Sequence, residues 1–302
     1  MSNKKVIDKF RKLIGDRNVL TKEWNKLPYS KGWRYGAGNT LAVLKPDKLS
    51  DIWRILQICV EHDIIVIMQA ANTGLTGGST PFGDDYDRPV LVINTMRINN
   101  IHIINRGSQI VGLTGSTLYD LENKLKPYGR EPHSIIGSTS IGASIIGGIC
   151  NNAGGSLVQR GPSYTEMALY AKINKKGKLE LINELEIDLG SEPEDILDNL
   201  QNQNYEESDI RNTNRLGSDD KYSEIVREID KNSPARFNSD SRLLYGASGS
   251  AGKIAVFAVR LDTYLSPIDN KVFYVGTNDP DVFWKIRRDI PVSYTHLRAH
   301  ET

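Results

Sequence analysis

The sequence predicts a fold that mixes α-helices and β-strands, and three observations lead to that prediction. First, a strand at "LAVLKP" (41–46), a helix, and a buried strand at "IIVIM" (64–68) together form a βαβ unit. Second, several further short runs rich in β-branched residues follow, separated by turn residues. Third, 39% of the residues are hydrophobic and 25% are charged, which is typical of a globular protein with a substantial core.

The elements of the first half follow from local patterns. The first helix is predicted to be capped by Ser50, and its buried stripe recurs at helical spacing: Ile52, Ile55, Leu56 and Cys59. Strands are predicted at "VLVIN", "IHIIN" and "QIVGL", which reach residue 113. A second helix, capped by Ser116, should bury a face of leucines and end at Pro127 and Gly129.

The second half is predicted from a hairpin, an insertion and a core strand. "ALYAKIN" and "LELIN" flank the turn residues 174–177, which indicates a hairpin. Residues 187–240 are acidic and rich in Asn, and we expect a peripheral helical insertion with mobile loops and a solvated charged face. "IAVFAVRLD" (254–262) reads as a core strand. Asp279 as N-cap, with Pro280 at the first helical position, predicts a last helix.

Charge, cysteines and hydropathy limit the possible classes of function. The 38 basic and 37 acidic side chains leave a net charge of +1, so we expect no nucleic-acid partner. Cys59 and Cys150 lie in apolar segments without metal-type spacing, and we expect two buried thiols in a reducing compartment. We find no signal peptide and no apolar run of membrane-spanning length, so we expect a cytoplasmic chain without a transmembrane segment.

The last residues look foreign to the chain. "VSYTHLRAHET" resembles the translation of a transposase adapter, and we interpret residues 291–302 as a non-native tail. His296 and His300, with Glu301 beside them, have a spacing that a metal site can use, but a pair without further ligands is a weak signal. We therefore expect no metal site, and we expect the natural protein to continue beyond Ile290.

The stretch "QAANTGLTGGSTP" (69–81) directly follows the second strand of the βαβ unit. Its glycines can present backbone N–H groups to one point without obstruction by a Cβ atom, and several hydroxyls lie between them. A pyrophosphate requires such an arrangement, because an anion forms charge-assisted hydrogen bonds with several donors. The alternative is a glycine-rich turn that joins two subdomains.

A second glycine-rich stretch spans residues 137–162, and it contains seven glycines among apolar and small polar residues. Glycine is disfavoured in regular elements unless close approach is needed, so this backbone should pack against a flat or anionic group or form a tight junction between strand and helix. "GAGNTL" lacks the third glycine of a dinucleotide-binding motif, and "GASGSAGKI" lacks two residues of a P-loop. The residues thus indicate a nucleotide-like ligand held without either motif.

These two stretches carry a resemblance. They are similar to the FAD-binding domain of the vanillyl-alcohol oxidase and p-cresol methylhydroxylase type, and within it to the membrane-associated, quinone-reducing D-lactate dehydrogenases, from about residue 10 to residue 290. The resemblance implies an α+β fold of two subdomains with FAD between them. It implies an FAD-binding domain at 1–266, with the acidic insertion at 187–240, and the truncated start of a cap domain at 267–290.

The resemblance also implies which residues contact FAD, many of them through the main chain: Ala70, Ala71, Asn72, Thr73, Gly74, Gly78, Ser79, Gly137, Ser144, Gly154 and Val256. It leaves the catalytic residues unassigned, because the family's substrate-binding cations and general base are expected beyond Ile290. His133 precedes the second glycine stretch, and Arg160 lies within it. Each is a candidate for flavin or substrate proximity; the alternatives are a structural or surface role for His133 and a loop salt bridge for Arg160.

The implied activity is hydride transfer from D-lactate, or a related 2-hydroxy acid, to FAD, with electrons passed on to a membrane quinone. The whole protein would then sit peripherally on the cytoplasmic side of the inner (plasma) membrane, in contact through a C-terminal region missing here. Two alternatives remain open, since fold does not fix chemistry. One is another flavin oxidoreductase of this fold, acting on a different 2-hydroxy acid such as glycolate, an alditol or a sugar nucleotide. The other is a nucleotide-binding module without turnover.

Overall fold

The computed structural model describes residues 3–84, 86–134, 136, 138–155, 157, 160–226, 228, 231–232 and 240–289. Its helices are α1 Asn3–Ile14, α2 Glu23–Ser30, α3 Leu49–Glu61, α4 Leu118–Leu125, α5 Ile145–Cys150, α6 Pro193–Asn202, α7 Tyr222–Ile225 and α8 Pro280–Asp289. Its strands are β1 Val19–Leu20, β2 Ala42–Leu44, β3 Ile65–Gln69, β4 Val90–Asn94, β5 Ile101–Ile104, β6 Gln109–Leu113, β7 Arg130–Glu131, β8 Ala168–Ile173, β9 Leu179–Asn183, β10 Ala255–Asp262 and β11 Tyr264–Leu265.

The first sheet has the strand order β1-β2-β4-β3. Strands β2 and β3 both run parallel to β4, and α3 connects them, which confirms the predicted βαβ unit. Gln69, the last residue of β3, pairs with Asn94, the last residue of β4. The first glycine stretch therefore leaves the sheet at the carboxyl ends of its parallel strands, where α/β sheets commonly bind ligands.

The second sheet is antiparallel and has the order β5-β6-β10-β8-β9. The core strand β10 lies at its centre, and β8 and β9 form the predicted hairpin, whose turn contains Gly177 at φ 74°. Glycine suits that left-handed backbone, since other residues adopt it at a cost. The pairing of β10 with β8 shifts in register between Val256 and Ala258.

One hydrophobic core joins the two sheets. Its buried members include Leu44 and Ile93 from the first sheet and Val111, Leu169 and Phe257 from the second. A second cluster packs α4 and α5 against the opposite part of the second sheet. Since a fully buried Leu or Phe side chain contributes about 1.5–3 kcal/mol, the shared core fixes the two halves relative to each other.

The acidic insertion differs from the peripheral element that the sequence predicts. Helix α6 packs against α3, and its residues Ile196, Leu197 and Leu200 are buried in the shared core. Arg54 Nε of α3 donates a hydrogen bond to Glu194 Oε1 at 3.0 Å. The acidic composition hides an apolar stripe at helical spacing, so at α6 the expectation of a peripheral segment is wrong.

Two helix starts also differ from the prediction. The N-cap of α3 is Lys48 rather than Ser50, and the side chain of Gln201 accepts the Leu49 N–H at 2.6 Å. The N-cap of α4 is Thr117 rather than Ser116, and its hydroxyl accepts the Asp120 N–H. At α8 the side chain of Asp279 accepts the Asp281 N–H at 3.0 Å, as expected of a cap. Within the described ranges, no helix is both long and apolar enough to cross a membrane.

Candidate cofactor site

The loop that follows β3 presents free backbone donors. In the described part of the chain, the N–H groups of residues 73–79 have no hydrogen-bond acceptor. A Cβ atom added at Gly74 would meet nothing within 4 Å, and one added at Gly78 would meet only the Thr76 hydroxyl at 3.9 Å. Successive free N–H groups in an open, glycine-rich loop can bind an anionic ligand such as the pyrophosphate of FAD.

The base of this loop is closed by side-chain amides. Gln69 Nε2 donates to the carbonyl oxygens of Tyr29 at 2.8 Å and Ser79 at 2.7 Å. Asn72 Nδ2 donates to the Lys31 carbonyl, and the Ser79 hydroxyl donates to Asn72 Oδ1, both at 2.8 Å. The side chains of Asn72 and Ser79 are thus bonded to each other, and Asn72 is also bonded to the neighbouring segment, which leaves their main-chain N–H groups for a ligand.

The two glycine-rich stretches meet in space. A Cβ atom at Gly142 would lie 3.8 Å from the Cβ atom of Ala71. Ser144 is the N-cap of α5, and its hydroxyl accepts the Gly147 N–H at 3.1 Å. Gly154 faces open space, with nothing within 4 Å of an added Cβ. The stretches therefore form two walls of one candidate site, whereas Gly137 lies outside the described residues.

Val256 is suited to a main-chain contact only. Its side chain is buried in the cluster formed with α4 and α5. Val256 pairs with Tyr170 of β8. The pairing of β10 with β6 begins only at Ala258, which faces Leu113, so in the described residues the main chain of Val256 has no strand partner on the β6 side.

His133 is enclosed. It is 3% exposed, and neither ring nitrogen has a hydrogen-bond partner among the described residues. Its ring meets the ring of Tyr264 edge-on, with the centroids 5.8 Å apart. Burial, with a further contribution from the positive charge of Arg160, lowers the pKa of His133 to about 4, so the imidazole is neutral at pH 7.

Arg160 has structural contacts that account for its position. It forms an ion pair with Glu131, and its Nη1 donates to the Pro132 carbonyl at 2.9 Å. Its guanidinium carbon lies 4.1 Å from the centroid of the Tyr264 ring. These contacts match the loop salt bridge, the structural alternative that the sequence left open for Arg160.

A cavity of about 680 Å³ lies elsewhere, and both glycine stretches are absent from its lining. Its walls are polar, with Arg106, Gln109, Arg130, Asp262 and Tyr264 among them. Arg130 is occupied there by hydrogen bonds to the hydroxyl and the carbonyl of Thr263. We place the candidate site at the glycine stretches because the free N–H donors and the open glycines lie there. The size of a cavity does not by itself indicate which ligand it binds.

The two cysteines are buried or half-buried, and both thiols have raised pKa values. Cys59 is buried, and burial raises the pKa of its thiol to about 12, which keeps it protonated and unreactive. Cys150 is half-buried with a raised thiol pKa. Among the described residues, no group of three His, Cys, Asp or Glu side chains is arranged to hold a metal ion. His296 and His300 lie outside those residues.

Comparison with known proteins identifies the ligand of this domain. Residues 40–178 match the FAD binding domain family, and this range contains both glycine stretches. FAD is the cofactor. The chain is 57% identical to the quinone-dependent D-lactate dehydrogenase of Haemophilus influenzae over 297 residues, covering 98% of this chain and 53% of that protein. It is 51% identical to the enzyme of the same name from Escherichia coli, covering 98% and 52%.

This chain is homologous to the quinone-dependent D-lactate dehydrogenases. It spans about half the length of these curated relatives. Solved structures confirm the expected α+β fold of the vanillyl-alcohol oxidase and p-cresol methylhydroxylase type. An alkyldihydroxyacetonephosphate synthase superposes with a TM-score of 0.58 at 11% identity, over 89% of this chain and 42% of its own. A substrate-bound p-cresol methylhydroxylase gives 0.55 at 16% identity, over 88% and 44%.

Proposed function

We propose that this chain is the FAD-binding part of an enzyme that oxidises D-lactate to pyruvate and passes the electrons to a membrane quinone. The observation that carries the proposal is the 57% identity to a quinone-dependent D-lactate dehydrogenase along nearly the whole chain, including both walls of the candidate site. When bound, FAD supplies the hydride acceptor for the α-carbon of the 2-hydroxy acid.

The residues of this chain bind and orient the cofactor in our proposal. The N–H groups of residues 73–79 bind the pyrophosphate, because they have no acceptor among the described residues and the loop is open at Gly74 and Gly78. The remaining contacts are assigned to the main chain of Ala70 and Ala71, to the second wall at Gly137, Ser144 and Gly154, and to the main chain of Val256.

We assign residues 1–266 to the FAD-binding domain and residues 267–290 to the start of a cap domain. Beyond β11 the chain leaves the sheets, and large apolar side chains such as Ile268, Phe273 and Tyr274 are exposed. Such a run supports contact with a further domain. That domain would supply the cations that bind the substrate carboxylate and the base that removes the hydroxyl proton.

We place the whole protein peripherally at the cytoplasmic side of the inner (plasma) membrane. The support is chemical, since a quinone dissolved in the bilayer can be reduced only by a protein that reaches the membrane surface. In this proposal the contact is made by sequence outside this chain.

A chimaera tests the proposal. The matched segment of the Haemophilus influenzae relative is replaced by residues 1–290 of this chain, and quinone reduction is measured with D-lactate, L-lactate and D-2-hydroxyglutarate. We expect FAD to copurify, with absorbance near 450 nm, and turnover with D-lactate alone. An FAD-free chimaera would refute the cofactor role. Turnover that prefers D-2-hydroxyglutarate would assign a different 2-hydroxy acid.

A further inference from the structure

The first glycine loop is tied to the segment that follows α2 by a set of side chains that no sequence motif marks. We call Gln69, Asn72 and Ser79 the amide clasp. Gln69 and Asn72 donate to the carbonyls of Tyr29 and Lys31, respectively, and each is also bonded to Ser79. The start of the loop is therefore joined directly to residues 29–31, and the end of the loop is joined to its start through Ser79.

Asn72 makes the outer half of this clasp, and its backbone is unusual. Its φ angle is 57°, in the left-handed region that Asn tolerates better than most residues. Its carbonyl also accepts the Trp33 N–H at 3.4 Å. Both polar atoms of the Asn72 side chain are thus hydrogen-bonded: the nitrogen donates to the Lys31 carbonyl, and the oxygen accepts from the Ser79 hydroxyl.

The residues that follow this segment, Tyr35 and Gly36, also pack closely against the loop. An added Cβ at Gly36 would lie 2.5 Å from the Thr80 hydroxyl and 3.2 Å from the Gly77 Cα. An added Cβ at Gly77 would lie 3.0 Å from the ring of Tyr35. Residues 29–36 therefore run along the back of the loop, and the clasp fixes the contact at its base.

We propose that Asn72 is a positioning residue for the cofactor: its side chain does not touch the pyrophosphate but holds the loop in the form that aims the N–H groups of residues 73–79 at it. The proposal rests on the assignment of this loop to FAD. Preorganised donors bind more tightly, because the ligand does not have to order the loop itself. Without the clasp, the loop between Gln69 and Ser79 keeps no side-chain tie to residue 31.

The test compares Asn72→Gly with Asn105→Gly, the same substitution at another Asn with a left-handed backbone (φ 50°) outside both glycine stretches. Glycine at 72 keeps the left-handed backbone without strain but removes the two clasp bonds that Asn72 makes, and glycine at 105 removes a side-chain bond to Gln109 and leaves the clasp intact. Two measurements are made: the Kd for FAD, and thermolysin cleavage at Leu75 of the FAD-free chain, followed by mass spectrometry. Leu75 is 62% exposed within the loop and is a good site for this protease.

We expect Asn72→Gly to speed cleavage at Leu75 at least fivefold without FAD and to raise the Kd at least tenfold, while Asn105→Gly changes each less than threefold. Ser79→Ala, which removes the Ser79–Asn72 bond from the other side, should also speed cleavage, and it replaces Asn72→Gly if that variant does not fold. A raised Kd with unchanged cleavage would make Asn72 a direct contact and overturn the proposal, as would an unchanged Kd. Faster cleavage in a chain that never binds FAD would refute the loop's cofactor role instead.

Discussion

A Cβ atom at Gly142 would lie 3.8 Å from the Cβ atom of Ala71, so the two glycine-rich stretches come close together although these two residues are 71 positions apart in the chain. The first stretch leaves the parallel sheet, and the second precedes α5, which packs on the antiparallel sheet. The candidate FAD site therefore exists only when the two halves are docked, which makes the shared hydrophobic core a condition for cofactor binding.

Replacing Gly78 or Gly74 with Val should abolish stoichiometric FAD binding without unfolding the chain. An added side chain meets no close protein atom at either position, so the melting temperature should stay within about 1 °C. The side chain would occupy the space of the anion and leave N–H donors unsatisfied, at about 1–3 kcal/mol each. We expect the Kd for FAD to rise at least tenfold, measured by quenching of flavin fluorescence.

The matched control is Gly276→Val. Gly276 also has nothing within 4 Å of an added Cβ, and it lies in the exposed segment before α8. This variant should bind FAD with unchanged Kd. If Gly78→Val retains one FAD per chain, the loop does not bind the pyrophosphate.

Gln201→Ala should destabilise the chain by about 1 kcal/mol. The Gln201 side chain accepts the Leu49 N–H at the start of α3 and donates to the Asp47 carbonyl at 2.9 Å, so it replaces the missing side-chain cap. Urea unfolding measures the change in free energy. Asn202→Ala is the control, because among the described residues that exposed amide bonds only to the Asp198 carbonyl within its own helix. Equal effects of the two substitutions would show that the cap role is wrong.

The sequence predicts the elements better than it predicts how they meet. Alternation and β-branched runs locate β2 to β6 and β8 to β10, because strand periodicity is a local property. The cap of α3 is not local: its acceptor, Gln201, lies 152 residues away, and Ser50 next to the helix start is a reasonable but wrong choice. In α6, the acidic residues dominate the composition and conceal the buried stripe of Ile196, Leu197 and Leu200.

The candidate site shows the same division. Glycine and hydroxyl residues reveal a loop that can approach an anion, since backbone accessibility follows from the residue types. The clasp at Gln69 and Asn72 depends on carbonyls at Tyr29 and Lys31, which only the folded chain brings near. The isolation of His133 likewise depends on three-dimensional packing, and a position beside a glycine stretch does not predict it.

His133→Leu should leave stability at pH 7 unchanged or raise it by about 1 kcal/mol. Both ring nitrogens are buried without a partner in the described residues, and replacing an unsatisfied polar group with an apolar one of similar size removes its desolvation cost. Thermal unfolding of the FAD-free chain measures this. A loss of more than 2 kcal/mol would show that His133 makes hydrogen bonds that stabilise the fold.

Stability of the FAD-free chain should fall as the pH drops from about 6.5 to about 4. Burial, with the nearby charge of Lys124, lowers the pKa of His102 to about 4, and burial with Arg160 does the same for His133. In the folded chain each imidazole stays neutral until the pH approaches 4, whereas in the unfolded chain it takes up a proton near pH 6.5. Between these two values the unfolded state binds more protons, so the free energy of unfolding decreases as the pH falls. The effect is on the order of 3 kcal/mol for each histidine, and the stabilisation is fully present above pH 6.5.

His102 also contacts the Tyr205 hydroxyl at 2.7 Å, whereas neither ring nitrogen of His133 has a hydrogen-bond partner among the described residues. His133→Leu should therefore remove the contribution of His133 to the pH dependence and keep that of His102. Urea unfolding of the unsubstituted chain and of His133→Leu at pH 4.5, 5.5 and 7 measures how steeply the free energy of unfolding of each changes with pH. Equal slopes would mean that His133 is protonated in the folded chain, contrary to its enclosed position.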